Sequence, residues 1–376
     1  MANRSINLPL AKAFRDRPVF VTGHTGFKGS WLSLWLDALG ARVTGYALPP
    51  PTSPSHFETA HVRRRLAHHI EADIRDGRRL RTTLEKTRPE IIFHLAAQTL
   101  VRESYVHPRE TFEVNVQGLV NLLEAVRELK HPCRVVVVTS DKCYANREQT
   151  QGYRETDPMG GYDPYSASKG VQELVVAAYR QSFFHPAGLG RHGIKLATAR
   201  SGNVIGGGDW AVDRIMADCI RALIAGRPIG LRNPAAVRPW QHVFEPLSGY
   251  LWLAAKLAGP DAASYCEAWN FGPAPQVFKT VQALAEETIR CWGSGTWRHR
   301  RPKIAPHEAA LLTLCCAKAH RQLGWRPTWK FTTAVEQTVA WYKAWHAGAP
   351  DLQALSHEQI AAYTRAAQQK KIAWSL

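Results

Sequence analysis

Five short, almost wholly apolar runs alternate with longer stretches of helical spacing through the first 140 or so residues. They are "RPVFVTG" (17–23), "ARVTGYAL" (41–48), "HHIEADI" (68–74), "PEIIFHLAA" (89–97) and "RVVVVTS" (134–140). Strands this apolar have no face to give to water, so both faces must be covered. Strand–helix alternation of this kind predicts a doubly wound parallel α/β sheet with helices on both sides. Proline-rich "LPPPTSP" (48–54) marks a loop after the second strand.

After about residue 200 the rhythm loosens. "SGNVIGGGDW" is glycine-rich, "DRIMADCIRALIAG" reads as a helix, and "GLRNPAAVRPWQHV" reads as short strands around a turn. "TVQALAEETIRCW" and "FTTAVEQTVAWYKAWHA" carry helical spacing nearer the end. We expect a doubly wound domain over residues 1–200, rejoined by about 238–272, and a smaller mixed lobe from 201–237 and 273–376. The chain of 376 residues is long enough for both, and its 45% apolar content supports a sizeable core.

The formal charge of +17 could attract nucleic acid, an anionic membrane or a phosphate-bearing small molecule. Apart from Arg63-Arg64-Arg65 the basic residues are scattered, and no nucleic-acid-binding motif occurs. We therefore expect a small anionic substrate, with neither nucleic acid nor membrane as a partner. Seven cysteines without a CxxC pair argue against a disulfide framework or a metal site. "MANRSINLPLAKAFRDR" lacks the apolar run of a signal peptide, so a cytoplasmic location is expected.

"TGHTGFKGS" places Gly23, Gly26 and Gly29 between the first strand and the helix that follows. Glycines there allow a tight turn and close backbone approach to a pyrophosphate, which the helix N-terminus then attracts. His24 and Lys28 are expected to add positive potential in this loop, with Phe27 beside them. A dinucleotide site usually carries an acid after the second strand to hold the ribose, and "VTGYALPPP" has none. The residues themselves thus leave NAD and NADP open. Asp73 and Ile74, at the end of the third run, are candidates for the adenine; Leu95, Ala96, Ala97 and Gln98 end the fourth beside the cofactor.

Tyr165 and Lys169, in "YSASK", are four apart and share one helix face. An ammonium beside a phenol favours the phenolate, lowering a pKa that starts near ~10 and fitting the tyrosine to act as a base. Ser140, ending the fifth run, is placed to bond the same substrate oxygen. Asp141 and Lys142 follow it directly.

"TGHTGFKGSWL", "HLAAQTLVRESY", "VTSDKCY", "YRETDPMGGYDPYSASKG", "GNVIGGGDW" and "RPWQHVFEPLSGYL" together resemble the extended short-chain dehydrogenases/reductases. Within them they are most similar to the nucleotide-sugar 4,6-dehydratases that act on CDP-glucose, over roughly residues 17–345. The resemblance implies NAD as cofactor and water loss from the sugar through a transient 4-ketone. It implies Ser140, Tyr165 and Lys169 for the oxidation, with Tyr165 and Lys169 also touching NAD. Asp141 is implied as the acid at the departing C6 hydroxyl. Lys142 is left between two roles, base at C5 or electrostatic stabiliser of the enolate. A lysine acting as base near neutrality must lose about 3 pKa units, worth about 4 kcal/mol.

By the same resemblance Gln98, Asn203, Arg214, Arg238 and His307 are candidates for the substrate, Arg238 as a phosphate clamp. A dimer through helices at about 110–129 and 164–183 is implied, as is a place in deoxysugar synthesis for cell-surface polysaccharide. The chain departs from its relatives at Cys315, where an Asp is usual, at Ala317 for Ser, and at Ser201 for Ala. An epimerase or plain dehydrogenase would not need Asp141 and Lys142. A binding protein without turnover would have no need of Tyr165 and Lys169.

Overall fold

The computed structural model describes residues 9–273, 279–300 and 311–376. Seven parallel strands form one sheet: β1 (Pro18–Thr22), β2 (Arg42–Ala47), β3 (His68–Glu71), β4 (Ile91–His94), β5 (Cys133–Val138), β6 (Ile194–Ser201) and β7 (Ala268–Phe271). Their order is β7-β6-β5-β4-β1-β2-β3. The chain steps from β1 to β2 and β3 on one side, then crosses back to place β4 against β1. That reversal opens a crevice at the carboxyl ends of β1 and β4, where ligands of such sheets sit.

Alternate side chains along each strand serve opposite faces. Val19 and Val21, Ile91 and Phe93, Val136 and Val138 pack into one core with the helices α1 (Phe27–Ala38) and α6 (Phe244–Lys256). Phe20, Ile92, Val135 and Val137 pack into the other. There they meet α2 (Gly77–Thr87), α3 (Gly118–Arg127) and α4 (Pro164–Ser182). Every residue of β5 is buried, as its unbroken valine run requires.

α5 (Ile215–Ile224), α7 (Val281–Trp292), α8 (Phe331–His346) and α9 (Leu352–Gln369) follow later in the chain. The sixth and seventh strands and the helices α2, α6 and α9 were not singled out in the sequence. Trp35 of α1 meets Phe244, Tyr363 and Trp374 edge-on at 5.5–5.8 Å between ring centroids, which ties the C-terminal segment to the sheet's first helix. Each such wholly buried aromatic contributes about 1.5–3 kcal/mol. Glu245 of α6 completes the join: it accepts from the Thr328 and Trp329 amides and from the Tyr363 hydroxyl, at 2.7–2.8 Å.

Two expectations shift slightly. The helix after the glycine loop starts at Phe27, inside that loop, and β3 ends at Glu71, two residues before Asp73. Among the described residues no helix is long and apolar enough to cross a membrane, and no cluster of His, Cys, Asp and Glu could hold a metal. All seven cysteines are free thiols.

Candidate active site

The glycine loop bends on Gly23, whose φ of 74° suits glycine. A Cβ there would lie 2.7 Å from the Ala96 amide nitrogen, and one on Gly29 would lie 2.1 Å from the Gly23 carbonyl. The loop is thus folded onto itself and onto the end of β4, leaving backbone as its open surface. Gly26 caps α1 without any side-chain acceptor, so the helix's first-turn N–H groups are available to an anion. Thr22 secures the neighbouring segment, its hydroxyl accepting from the Leu95 and Ala96 amides at 3.1 Å. A dinucleotide pyrophosphate fits this cradle; a side chain at either glycine would collide with the loop's own backbone or with the end of β4 and distort it.

The two basic residues of the loop behave differently from expectation. His24 is fully buried beneath it, with its Nε2 2.7 Å from His69 Nδ1. Burial, then the nearby His69, pushes its pKa down to about 3. His24 is therefore neutral and adds no positive potential. Lys28 turns toward the reaction site, donating to Ser201 Oγ at 2.8 Å. Ser201 in turn shares a 2.7 Å hydrogen bond with the buried Tyr250 hydroxyl. Burial and the charge of Arg214 bring Lys28 down to about 8, while Asp141 and Asp209 oppose that.

At the end of β5, Ser140 donates to Asp141 Oδ1 at 3.0 Å and accepts from the Lys142 amide at 3.3 Å. Asp141 is 2% exposed, and its Oδ2 is buried with no partner among the described residues. An orphaned carboxylate oxygen of this kind is costly unless a ligand completes it. The Lys142 ammonium, despite its neighbour in sequence, forms no ion pair among the described residues.

Asp163 caps α4 through the Ser166 amide at 2.9 Å, and Pro164 starts the helix. This brings Tyr165 and Lys169 to the β5 end, the Lys169 Nζ lying 5.9 Å from the centre of the Tyr165 ring. Burial holds Tyr165 at about 12, against the Ser140 hydroxyl and the charge of Arg214, which both favour phenolate. The expectation that Lys169 governs this phenol is thus corrected: burial dominates, and the helpful charge is that of Arg214. Lys169 itself is pushed down to about 7 by burial and by Lys28, with Glu173 opposing.

Arg214 stands at the start of α5, near Thr99 and electrostatically coupled to Tyr165, Lys28 and Asp209. Asn203 follows β6, its carbonyl accepting from the Gln241 amide. Arg238 lies on a short strand paired with residues 279–280 and donates to the Val237 carbonyl. Gln98 spends its side-chain amide on Leu100 and Thr111, shaping the turn rather than offering a free group. Asp73 is held by Arg75 in a bidentate pair, and Ile74 is buried beside it. Phe27 packs into the core beneath the loop. His307 lies outside the described residues.

Asp209, Tyr250 and Gln172 were missed. Asp209 had a signal, an acid ending "GGGD". Tyr250 and Gln172 sit on apolar helical stretches that spacing alone assigns to packing.

A doubly wound sheet with a glycine cradle at its first strand, a strand-end serine and a Tyr-x-x-x-Lys pair on the next helix defines an extended short-chain dehydrogenase/reductase. The chain belongs more narrowly to the GDP-mannose 4,6 dehydratase family, whose model matches residues 20–338. It is 50% identical over 353 residues, 94% of its own length and 98% of the relative's, to the curated CDP-glucose 4,6-dehydratase of Salmonella typhimurium. Among solved structures it is similar to DesIV, the dTDP-glucose 4,6-dehydratase of Streptomyces venezuelae with NAD and TYD bound. That likeness has 25% identity and a TM-score of 0.73 over 89% of this chain and 99% of DesIV. The epimerase Mth375 of Methanothermobacter thermautotrophicus shares the fold, with a TM-score of 0.76 and 21% identity over 90% of this chain and 96% of its own.

Proposed function

We propose that the chain converts CDP-glucose to CDP-4-dehydro-6-deoxyglucose, eliminating one water, with NAD as its resident cofactor. The observation that carries this reading is the buried Asp141, with Lys142, beside Ser140 and Tyr165 at one strand end. It occurs in a chain half identical to a curated CDP-glucose 4,6-dehydratase. An oxidation alone would use Ser140, Tyr165 and Lys169.

The cradle of Gly23, Gly26 and Gly29 would hold the NAD pyrophosphate, with Asp73 and Ile74 toward the adenine and Leu95 to Ala97 alongside. When bound, NAD supplies a hydride acceptor for C4 of the sugar and later the hydride that C6 receives. Tyr165 takes the proton of the 4-hydroxyl while Ser140 bonds that oxygen. The resulting ketone acidifies the C5 hydrogen. Lys142 takes the C5 proton, the ammonium so formed stabilises the enolate, and the same proton returns to C5 as C6 receives the hydride. Asp141, protonated at that moment, gives its proton to the C6 hydroxyl as water leaves.

Asn203, Arg214 and Arg238 are assigned to the diphosphate, and residues 201–237 and 273–376 to a lobe over the sugar nucleotide. A homodimer through the helices at about 110–129 and 164–183 is part of the reading. Exposed Phe112, Leu174 and Phe183 on or next to those helices support it. So are a cytoplasmic location and a place in deoxysugar synthesis.

The test is incubation with CDP-glucose and catalytic NAD, following product mass and nicotinamide absorbance together. Loss of one water with no lasting NADH is expected. Lasting NADH without water loss would make the protein a dehydrogenase and overturn the roles of Asp141 and Lys142.

A further inference from the structure

Lys169 is anchored by a side chain that the reaction scheme leaves unused. Its Nζ donates to Gln172 Oε1 at 2.8 Å, one helical turn along α4. Gln172 is fully buried, and the other end of its amide, Nε2, donates to the Asn115 carbonyl at 2.6 Å. Asn115 lies in a π-helical turn, Glu113–Gln117, just before α3. Such turns release a carbonyl from the regular helical ladder, and many occur at functional sites. The Asn115 side chain continues the connection. Its Oδ1 accepts from the Gln98 amide at 2.8 Å, and its Nδ2 donates to the Gln98 carbonyl and to Ser168 Oγ.

A buried amide with its oxygen on an ammonium and its nitrogen on a carbonyl can be seated in only one orientation. We propose that Gln172 is a positioning residue for the oxidation step, fixing Lys169 and favouring its ammonium form while tethered to the π turn and, through Asn115, to the segment after β4. This rests on the dehydratase reading. The ammonium retains two further donors for ligands.

Several groups act on Lys169 from the elements around it. Lys28, from the glycine loop, disfavours its charge; Glu173 on α4 favours it, and Cys143 after β5 is a buried thiol held well above its ordinary pKa, hence neutral. His94 on β4 is buried and held at about 3, hence neutral, and the Tyr165 ring lies 5.9 Å away. Against burial and Lys28, the Gln172 oxygen is a directly bonded acceptor that favours the charged form.

Gln172→Met keeps the volume and removes both hydrogen bonds. Gln172→Glu keeps an acceptor for Lys169 and adds a negative charge. The protein without cofactor, carrying isotope-labelled lysine, is titrated by NMR, with Lys169→Arg identifying the signal. In parallel, the pH profile of kcat/KM for CDP-glucose is recorded on the full chain with NAD. We expect Gln172→Met to move the Lys169 titration and the alkaline limb of the profile down by about one pH unit, which above both values cuts the charged fraction about tenfold. Gln172→Glu should move both upward, with KM changing less than kcat in either variant. Unmoved titration in both variants overturns the proposal, as does a loss of kcat that follows thermal stability while the alkaline limb stays in place. Because the NMR titration needs no turnover, failure of wild-type protein to dehydrate CDP-glucose would strike the functional reading separately.

Discussion

Replacing Glu173 by Gln tests how the catalytic strand end is held. Glu173, on α4, accepts from Arg200 Nη2 at 2.8 Å, from Thr198 Oγ1 at 2.7 Å and from Thr139 Oγ1. Both charged side chains are only 4% exposed. Arg200 also donates to the Tyr144 hydroxyl at 2.6 Å and to the Glu155 carbonyl. The pair thus joins β5, β6 and α4 directly behind Ser140 and Asp141. The amide keeps the shape and one acceptor but strands the Arg200 charge in the interior. Breaking one partner of a buried pair costs about 3–5 kcal/mol, a large share of a stability of about 5–15 kcal/mol. Arg200→Met should cost a similar amount by stranding the carboxylate. The double variant Glu173→Gln/Arg200→Met should cost well below the sum, since no buried charge remains. Urea unfolding with an unchanged m-value measures all three. Burial alone would raise the Glu173 pKa, yet Arg200 and the two threonines hold it below its ordinary 4.5. Its contribution is therefore present above pH 4.5 and lost as the pH falls through the lower folded value. The Glu173→Gln variant should show none of that acid-side loss. A Glu173→Gln cost under about 1 kcal/mol, or two single losses that simply add, would refute the argument.

Gly29→Ala puts a methyl 2.1 Å from the Gly23 carbonyl, so NAD affinity measured by equilibrium titration should fall at least tenfold, with a lowered Tm. Gly202→Ala would bring a Cβ to 2.7 Å from Asp141 Oδ2. Like Asp141→Asn, it should slow elimination more than oxidation, so NADH absorbance should build up in single-turnover traces where wild type shows none. Glu245 is raised to about 7 by burial, against its three donors. Its contribution is fully present below pH 4.5 and is lost as the pH rises through 7, so Glu245→Gln should flatten that part of a Tm-against-pH curve. Binding of anionic NAD or CDP-glucose should raise the lowered pKa values of Lys28 and Lys169. Calorimetry in buffers of different ionisation enthalpy should then show uptake of about one proton at pH 8.

Much of the fold was legible because it rests on local signals. Valines in an unbroken run can only be a strand covered on both faces, and a glycine loop between strand and helix fixes where β1 hands over to α1. Tyr165 and Lys169 were readable for the same reason, since a spacing of four is itself a geometric statement. What stayed hidden depends on partners distant in sequence. His24 loses its charge to burial and to His69, 45 residues away, and Lys28 turns toward Ser201, 173 residues away. The sequence shows two basic residues in a phosphate loop and nothing of the burial that separates them. Ser201, which the sequence shows only as a departure from the resembled pattern, supplies the hydroxyl between Lys28 and Tyr250. Gln172 and Glu173 are adjacent and equally polar in sequence, yet one holds Lys169 and the other a buried arginine.

The electrostatics of the site have a single logic. Lys28, Lys169 and Arg214 act on one another or on Tyr165 near three carboxylates: Asp141, Glu173, which is paired with Arg200, and Asp209, which burial raises above the ordinary carboxylate value. Burial above all, then Arg214 for Lys28 and Lys28 for Lys169, brings the two lysines down to about 8 and about 7. Such a cluster is suited to anions. The diphosphates of cofactor and substrate supply them, and their charge offsets that lowering. Tyr165, held at about 12 by burial, needs more positive charge nearby to act as a base near neutrality, and Arg214 already favours its phenolate. The net charge of +17 keeps such a site attractive to phosphates from a distance.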